Sequence, residues 1–339
     1  MNRTKTLVWK ILLISLPFLL IISVYFITDP FKVLRHYRFD NYYNWQPWEL
    51  NREVCGVENL KERLEKNDVP DSYIFGSSRS FVFRCDVWEH ILNDSSRAFH
   101  MDAASETLFG VYGKVKYLDR QNIKIKNVML ICDANLLSKV DNIYDITHIK
   151  HPDISRESRF SFQTNFIKGY FTDFFFFKHI DFLSSHRIKE YMGTIFAINP
   201  GYIRTSAYKN DYYYQAYDSM MNKDSVAYYF SKKDVFGERP AVQEISEAVI
   251  KNKETLMLKE MKAIFDKNNT RVKIIISPIY DQKKFNPADL NILTGIFGDH
   301  IIYDYSGKND ITKTKFNYYE ANHFKPYIAE KIMSEIYAK

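Results

Sequence analysis

A chain of 339 residues, 46% hydrophobic and 16% aromatic, carries enough apolar surface for one large α/β domain with an insertion, which excludes a disordered or low-complexity protein. Lys and Arg are spread along the whole chain beside almost as many acids, giving a charge of +6 and a pI near 8.9; with no basic stripe or tail, no nucleic-acid partner is expected. Cys55, Cys85 and Cys132 are odd in number and irregularly spaced, which excludes a disulfide framework and a C-x-x-C metal knuckle.

Leu7 to Ile27 is apolar except for Lys10, about the length a membrane-spanning helix requires. Arg3, Lys5 and Lys10 precede or open it, and the run ends in the bulky Val24 to Ile27 rather than a small-residue cleavage site. It therefore reads as an uncleaved signal anchor. Lys32, Arg35 and Arg38 beyond the span blunt the charge asymmetry, but the favoured orientation has the amino terminus in the cytosol and the large domain outside. Asp29 to Pro47, rich in Tyr, Trp and Arg, suits a collar at the membrane interface.

Leu50, Val54, Val57, Leu60 and Leu64 are spaced for a helix over Glu49 to Lys66, stopped by Asn67, Asp68 and Pro70. Tyr73, Ile74 and Phe75 predict a buried strand, Gly76 a sharp turn, and Ser77 or Ser78 the cap of a helix running to about His90. A serine there lies at the carboxyl end of a strand, where open α/β sheets bind ligands and helix N–H groups carry partial positive charge. Arg79 is expected to pin this turn by an ion pair.

Arg97 to Met101 is a second strand, Ser105 to Arg120 a helix, and Asn127 to Cys132 a third strand in which Cys132 is a small core residue. Tyr144 to Pro240 breaks the alternation with a dense aromatic segment that includes Phe174 to Phe177 and Tyr212 to Tyr214. It is too long for a loop, so a packed helical insertion is expected. Its aromatics favour packing over a sugar- or lipid-binding cleft. Ala241 to Lys267 reads as one amphipathic helix, Val272 to Ser277 as a fourth strand, Asp289 to Phe297 as a helix and Ile301 to Tyr305 as a fifth strand. Pro326 to Tyr337 closes the chain as a helix. Strands alternating with helices predict a parallel sheet covered on both faces.

Two groups carry chemistry. Glu320 and His323, three apart before the last helix, could supply an oriented base to a serine nucleophile. His148, His151 and Asp153 could suggest a metal site, but no further ligand set accompanies them.

G-S-S-R after an early strand (Gly76 to Arg79), a carboxylate three residues before a late histidine, and a closing helix together resemble the SGNH (GDSL-like) hydrolase superfamily. Within it the chain looks like the membrane-anchored envelope proteins that accompany D-alanylation of teichoic acids or O-acetylation of polysaccharides. The resemblance covers roughly Tyr73 to Asn135 and Val272 to Lys339. It implies Ser78 as nucleophile, with Ser77 where many members carry aspartate, His323 as base, and Glu320 in place of the family's aspartate. The family's second-block glycine would fall near Ala103 to Ser105, where none occurs, and its asparagine at Asn135, in a poor copy of the family motif. The implied oxyanion hole is the Ser78 N–H, an N–H at Ala104 or Ser105, and the Asn135 side chain.

The expected architecture is thus a three-layer, flavodoxin-like parallel sheet (71–143 and 241–339) with an aromatic-rich helical insertion (144–240), a membrane-proximal linker and helix (29–70) and a transmembrane anchor (1–28). The expected function is a membrane-anchored serine esterase or O-acyltransferase acting outside the cell membrane on acyl esters of an envelope glycan. A Ser-His-Glu triad would do the chemistry, without metal or organic cofactor. The rival readings are an inactive accessory or glycan-binding partner of a membrane-bound O-acyltransferase, and an anchored binding domain in which G-S-S is only a turn.

Overall fold

The computed structural model describes residues 3–38, 48, 50–193, 204–205 and 208–338. The first helix is α1 (Arg3–Thr28), and the most apolar 18-residue window within its Thr4–Thr28 stretch has a mean hydropathy of 2.6. Large apolar side chains such as Leu7, Trp9, Leu13 and Ile14 stand exposed along it, so α1 is long and apolar enough to cross a membrane. Of the expected interfacial collar, residues 39–47 lie outside the described residues. Within the rest, the Asp29 carboxylate accepts the Val33 and Leu34 N–H groups and the Tyr37 hydroxyl, and the indole of buried Trp48 donates to the Pro30 carbonyl at 2.6 Å.

Five strands form one parallel sheet: β1 (Ser72–Gly76), β2 (Ala98–His100), β3 (Asn127–Cys132), β6 (Arg271–Ile276) and β7 (Ile302–Asp304), in the order β2-β1-β3-β6-β7. Counting these five alone, the order is 2-1-3-4-5, a doubly wound arrangement whose switch point lies between the carboxyl ends of its first and third strands. Two short antiparallel pairs stand apart, β4 (Arg204–Thr205) with β5 (Tyr212–Tyr213), and β8 (Tyr318–Glu320) with β9 (His323–Phe324).

Strand alternation sorts the core into two faces. Tyr73, Phe75, Val128, Leu130, Ile274 and Ile276 join one cluster, packed against helices α2 (Arg52–Glu65), α4 (Leu108–Arg120), α9 (Asn252–Asn268) and α10 (Pro287–Phe297). Ile74, Met129, Ile131 and Ile275 join the other, with α3 (Cys85–Leu92) and the closing helix α11 (Pro326–Tyr337). Cys132 lies in the first cluster as expected of a core residue, and all three cysteines are buried.

The aromatic segment divides between two places. Helices α5 (Arg159–Phe171) and α6 (Phe175–Ser185) build a third cluster, in which Phe162, Phe166, Tyr170 and Phe175 close around Tyr25 and Phe31 at the end of α1. Downstream, α7 (Gln215–Lys223), α8 (Ser225–Ser231) and the Tyr212–Tyr214 stretch pack on the β8–β9 side of the sheet.

Two predicted helices differ in form. The segment after β1 is a tight 3₁₀ turn over Ser78–Val82, because the Ser77 carbonyl takes both the N–H and the hydroxyl of Ser80. The chain then straightens at Arg84 before α3, whose first N–H is held by Asp211. The helix predicted from Ala241 begins only at Asn252. The Asp289 carboxylate captures the Val249 and Ile250 N–H groups, and Glu254 reaches back to the Lys251 N–H as a capping box.

Candidate active site

Gly76 ends β1 in a space that admits no side chain, since a Cβ would lie 2.7 Å from the Ile131 carbonyl oxygen and 2.8 Å from the Ser80 Cβ. The strand therefore passes directly into the Ser78 turn at the carboxyl edge of the sheet, beside the switch point. Arg79 forms an ion pair with Asp133 just past β3. Asp133 also caps the single-turn helix Ala134–Leu137 through the Leu136 N–H. One carboxylate thus ties the β1 and β3 loops together, and Arg79 fills the pinning role expected of it.

The hydroxyl of Ser78 lies 2.7 Å from His323 Nε2, and His323 Nδ1 lies 2.5 Å from Glu320 Oε1. The histidine arrives on a hairpin in which Glu320 and His323 pair across the two residues Ala321 and Asn322. Directly opposed residues project to the same side of such a pair, which is why a spacing of three puts carboxylate and imidazole in contact. Phe324, fully buried with its ring 5.9 Å from that of Phe83, anchors the hairpin beneath. The hydrogen bond from His323 holds the Glu320 carboxyl below its ordinary range against the effect of burial, helped by the charges of His323 and Lys232. Glu320 is in the ionised state that orienting an imidazole requires.

Sequence reasoning missed the residues that the aromatic segment brings here. Tyr214 donates its hydroxyl to the Ser78 carbonyl at 3.3 Å, and its ring centre is 6.0 Å from that of His323. Burial raises the Tyr214 phenol well above its usual value, keeping it a neutral donor. Lys232 places its ammonium 3.8 Å from Glu320 Oε2. The hydroxyls of Tyr228 and Tyr229 donate to the carbonyls of Tyr319 and Tyr318 at 2.6 and 2.9 Å, bracing β8 from outside. The only sequence signal for these contacts is the density of tyrosine in the segment.

The remaining predicted site residues line the neighbouring loops. Ala103 donates its N–H to the Gly76 carbonyl at 3.3 Å, which ties this loop to the end of β1 just before the Ser78 turn. There Ala104 is half-buried against the cluster that holds Phe324, and Ser105 is exposed with a left-handed φ of 47°. Asn135 is exposed on the helix capped by Asp133.

His151 is occupied structurally: it faces Glu58 at 3.1 Å and accepts the Asp153 N–H, while His148 faces Asp145 at 3.2 Å. Among the described residues one group has the composition and closeness of a metal site, the buried trio Cys85, His100 and Asp211. Its carboxylate already accepts the Cys85 N–H and lies 3.3 Å from the His100 ring. Burial, reinforced by Asp211, pushes the Cys85 thiol far up, so the trio reads as a buried hydrogen-bonded brace rather than a thiolate centre.

No model of a known protein family matches the chain, and no curated protein is significantly similar to it.

Proposed function

We propose that this chain is a membrane-anchored, SGNH-like serine esterase or O-acyltransferase acting on acyl esters of a cell-envelope polysaccharide, with α1 as the anchor and the α/β domain on the extracytoplasmic side. The single observation that carries the reading is the hydrogen-bonded line from Ser78 through His323 to Glu320, assembled from positions 245 residues apart. Packing alone has no need of a serine, an imidazole and a carboxylate in that order and at those distances.

In this reading Ser78 Oγ attacks the acyl carbonyl as His323 Nε2 takes its proton. His323 returns that proton to the departing alcohol, leaving an acyl-Ser78 ester. Water, or a sugar hydroxyl, then attacks with His323 again as base, giving hydrolysis or transfer and restoring Ser78. Glu320 holds the tautomer and offsets the imidazolium charge. The Ser78 N–H, with an N–H from Ala104 or Ser105 and the Asn135 amide, would receive the oxyanion.

The test is labelling of the detergent-solubilised full-length protein with a fluorophosphonate, together with turnover of an aryl acetate. The expected result is covalent label on Ser78, with label and turnover lost in Ser78→Ala and reduced about 10²–10⁴-fold in His323→Ala. Turnover that survives Ser78→Ala overturns the assignment. A wild-type protein that neither labels nor turns over leaves the accessory role beside a membrane-bound O-acyltransferase as the better reading.

A further inference from the structure

Just past the end of α1 lies a cavity of about 190 Å³ whose wall carries four basic side chains, Lys32, Arg35, Lys61 and Arg159, and one carboxylate, Glu58. Glu58 is engaged by Lys61 at 3.0 Å, by His151 at 3.1 Å and by His36 at 3.1 Å. Asp153 and Asp29 are not part of the lining and are engaged by other groups. Asp153 is held by Lys61 at 2.5 Å, and Asp29 by the backbone N–H groups of Val33, Leu34 and Arg35. Arg159 is the first residue of α5, so the positive end of that helix adds to the same wall. Val33, Leu34 and Phe162 supply an apolar part of the lining.

The position of this cavity is fixed to the apolar helix. Arg35 Nη2 donates to the Phe26 and Ile27 carbonyls at 2.7 and 3.0 Å, capping the end of α1. Tyr25 and Phe31 pack their rings against Tyr170 of α5 and Phe175 of α6. On the same two helices and the turn between them, Phe160, Phe174 and Phe177 are 82, 72 and 59% exposed. Exposed aromatics beside the end of a spanning helix suit the interfacial layer of a bilayer. A basic cavity at that level suits the phosphate of a headgroup.

We infer that this cavity binds the phosphate of an anionic membrane lipid, with the exposed phenylalanines of α5 and α6 resting in the same leaflet. The inference depends on α1 crossing the membrane and is independent of the chemistry at Ser78. Guanidinium and ammonium groups on several sides recognise a phosphodiester by charge-assisted hydrogen bonds. The apolar lining receives the start of the acyl chains.

The test is native mass spectrometry of the full-length protein from micelles containing equal amounts of phosphatidylglycerol and phosphatidylcholine of one chain length. The expected result is one retained phosphatidylglycerol in preference to phosphatidylcholine, with retention falling roughly tenfold in Arg159→Gln and in Lys32→Met, a factor equivalent to about 1.4 kcal/mol for each substitution. Lys259→Gln, on an exposed face of α9, should leave retention unchanged. Equal retention in all four proteins overturns the inference. Displacement of the lipid by inorganic phosphate at a comparable concentration also overturns it, because the cavity then takes a free anion. Carbonate extraction of membranes, run in parallel, reports on α1 alone, so failure of the anchor is distinguished from failure of the lipid site.

Discussion

Glu320 and His323 face one another across a two-residue turn, carboxylate to imidazole at 2.5 Å, with the opposite ring nitrogen on Ser78 at 2.7 Å. Glu320→Gln keeps the shape of the hairpin but offers His323 a neutral partner that can equally hold the wrong tautomer. Acyl turnover should fall about 10²–10⁴-fold with little change in KM. Steady-state kinetics of the two proteins checks this.

The same carboxylate gives a signature in acid. Its folded pKa is depressed, so its contribution to stability is full above the unfolded value of about 4.3 and is lost as pH falls through the lower folded value. Thermal unfolding followed down through that window should therefore show a shallower acid loss in Glu320→Gln than in the parent. An identical slope would mean that the His323 bond adds nothing to the fold.

Tyr214 and Lys232 should tune the site from the aromatic segment. Tyr214→Phe removes one hydrogen bond onto the Ser78 carbonyl, worth about 0.5–1.5 kcal/mol, and keeps the ring beside His323. Lys232→Met removes a cation 3.8 Å from Glu320. Modest losses of turnover are expected from each, and a larger one from Tyr214→Ala, which opens space over the imidazole. A pH–rate profile is the decisive measurement for Lys232→Met: losing that cation should move the acid limb upward.

Gly110 guards a buried ionic group. Lys114 bonds Glu106 and Glu53, and Lys150 bonds Glu106, with all four side chains fully buried. Burial alone would raise the Glu106 carboxyl, yet the charges of Lys114 and Lys150 outweigh it and hold the group well below its usual range. A Cβ on Gly110 would stand 2.2 Å from Glu106 Oε1 and 2.6 Å from Lys150 Cε. Gly110→Ala must push these side-chain ends aside without removing a charge, so an overpacking cost of about 1–3 kcal/mol is expected, measured by denaturant unfolding.

Arg79→Ala strands the buried Asp133 and frees the two loops that it joins. Destabilisation of about 3–5 kcal/mol is expected. Arg79→Lys should restore stability more fully than turnover, because an ammonium supplies the charge without the rigid fork.

The five strands were legible because each is an apolar run ended by a turn signal, and two-residue alternation then assigns each side chain to a face. Ser78, His323 and Glu320 were singled out by the resemblance of their motifs to a known family rather than by spacing, which alone suits a helix cap and a solvated turn equally well, and it is the fold that brings the three into hydrogen-bond contact. What escaped were contacts with no periodic signal. Asp289 ends one predicted helix from 39 and 40 positions away, and nothing in the local sequence around Glu53, Glu106, Lys114 and Lys150 marks the burial that brings them together. The Tyr214 and Lys232 contacts were hidden for the same reason: composition announces an aromatic insertion but not where its side chains land.

His323 follows Ser78 by 245 residues, so on the proposed reading the order of synthesis matters. A chain growing from its amino end carries Ser78 long before the imidazole that would take its proton. The hairpin that brings the imidazole also brings Tyr318, Tyr319 and Phe324 into the core on that side of the sheet, so assembling the serine–histidine pair and completing this face of the fold are one and the same event.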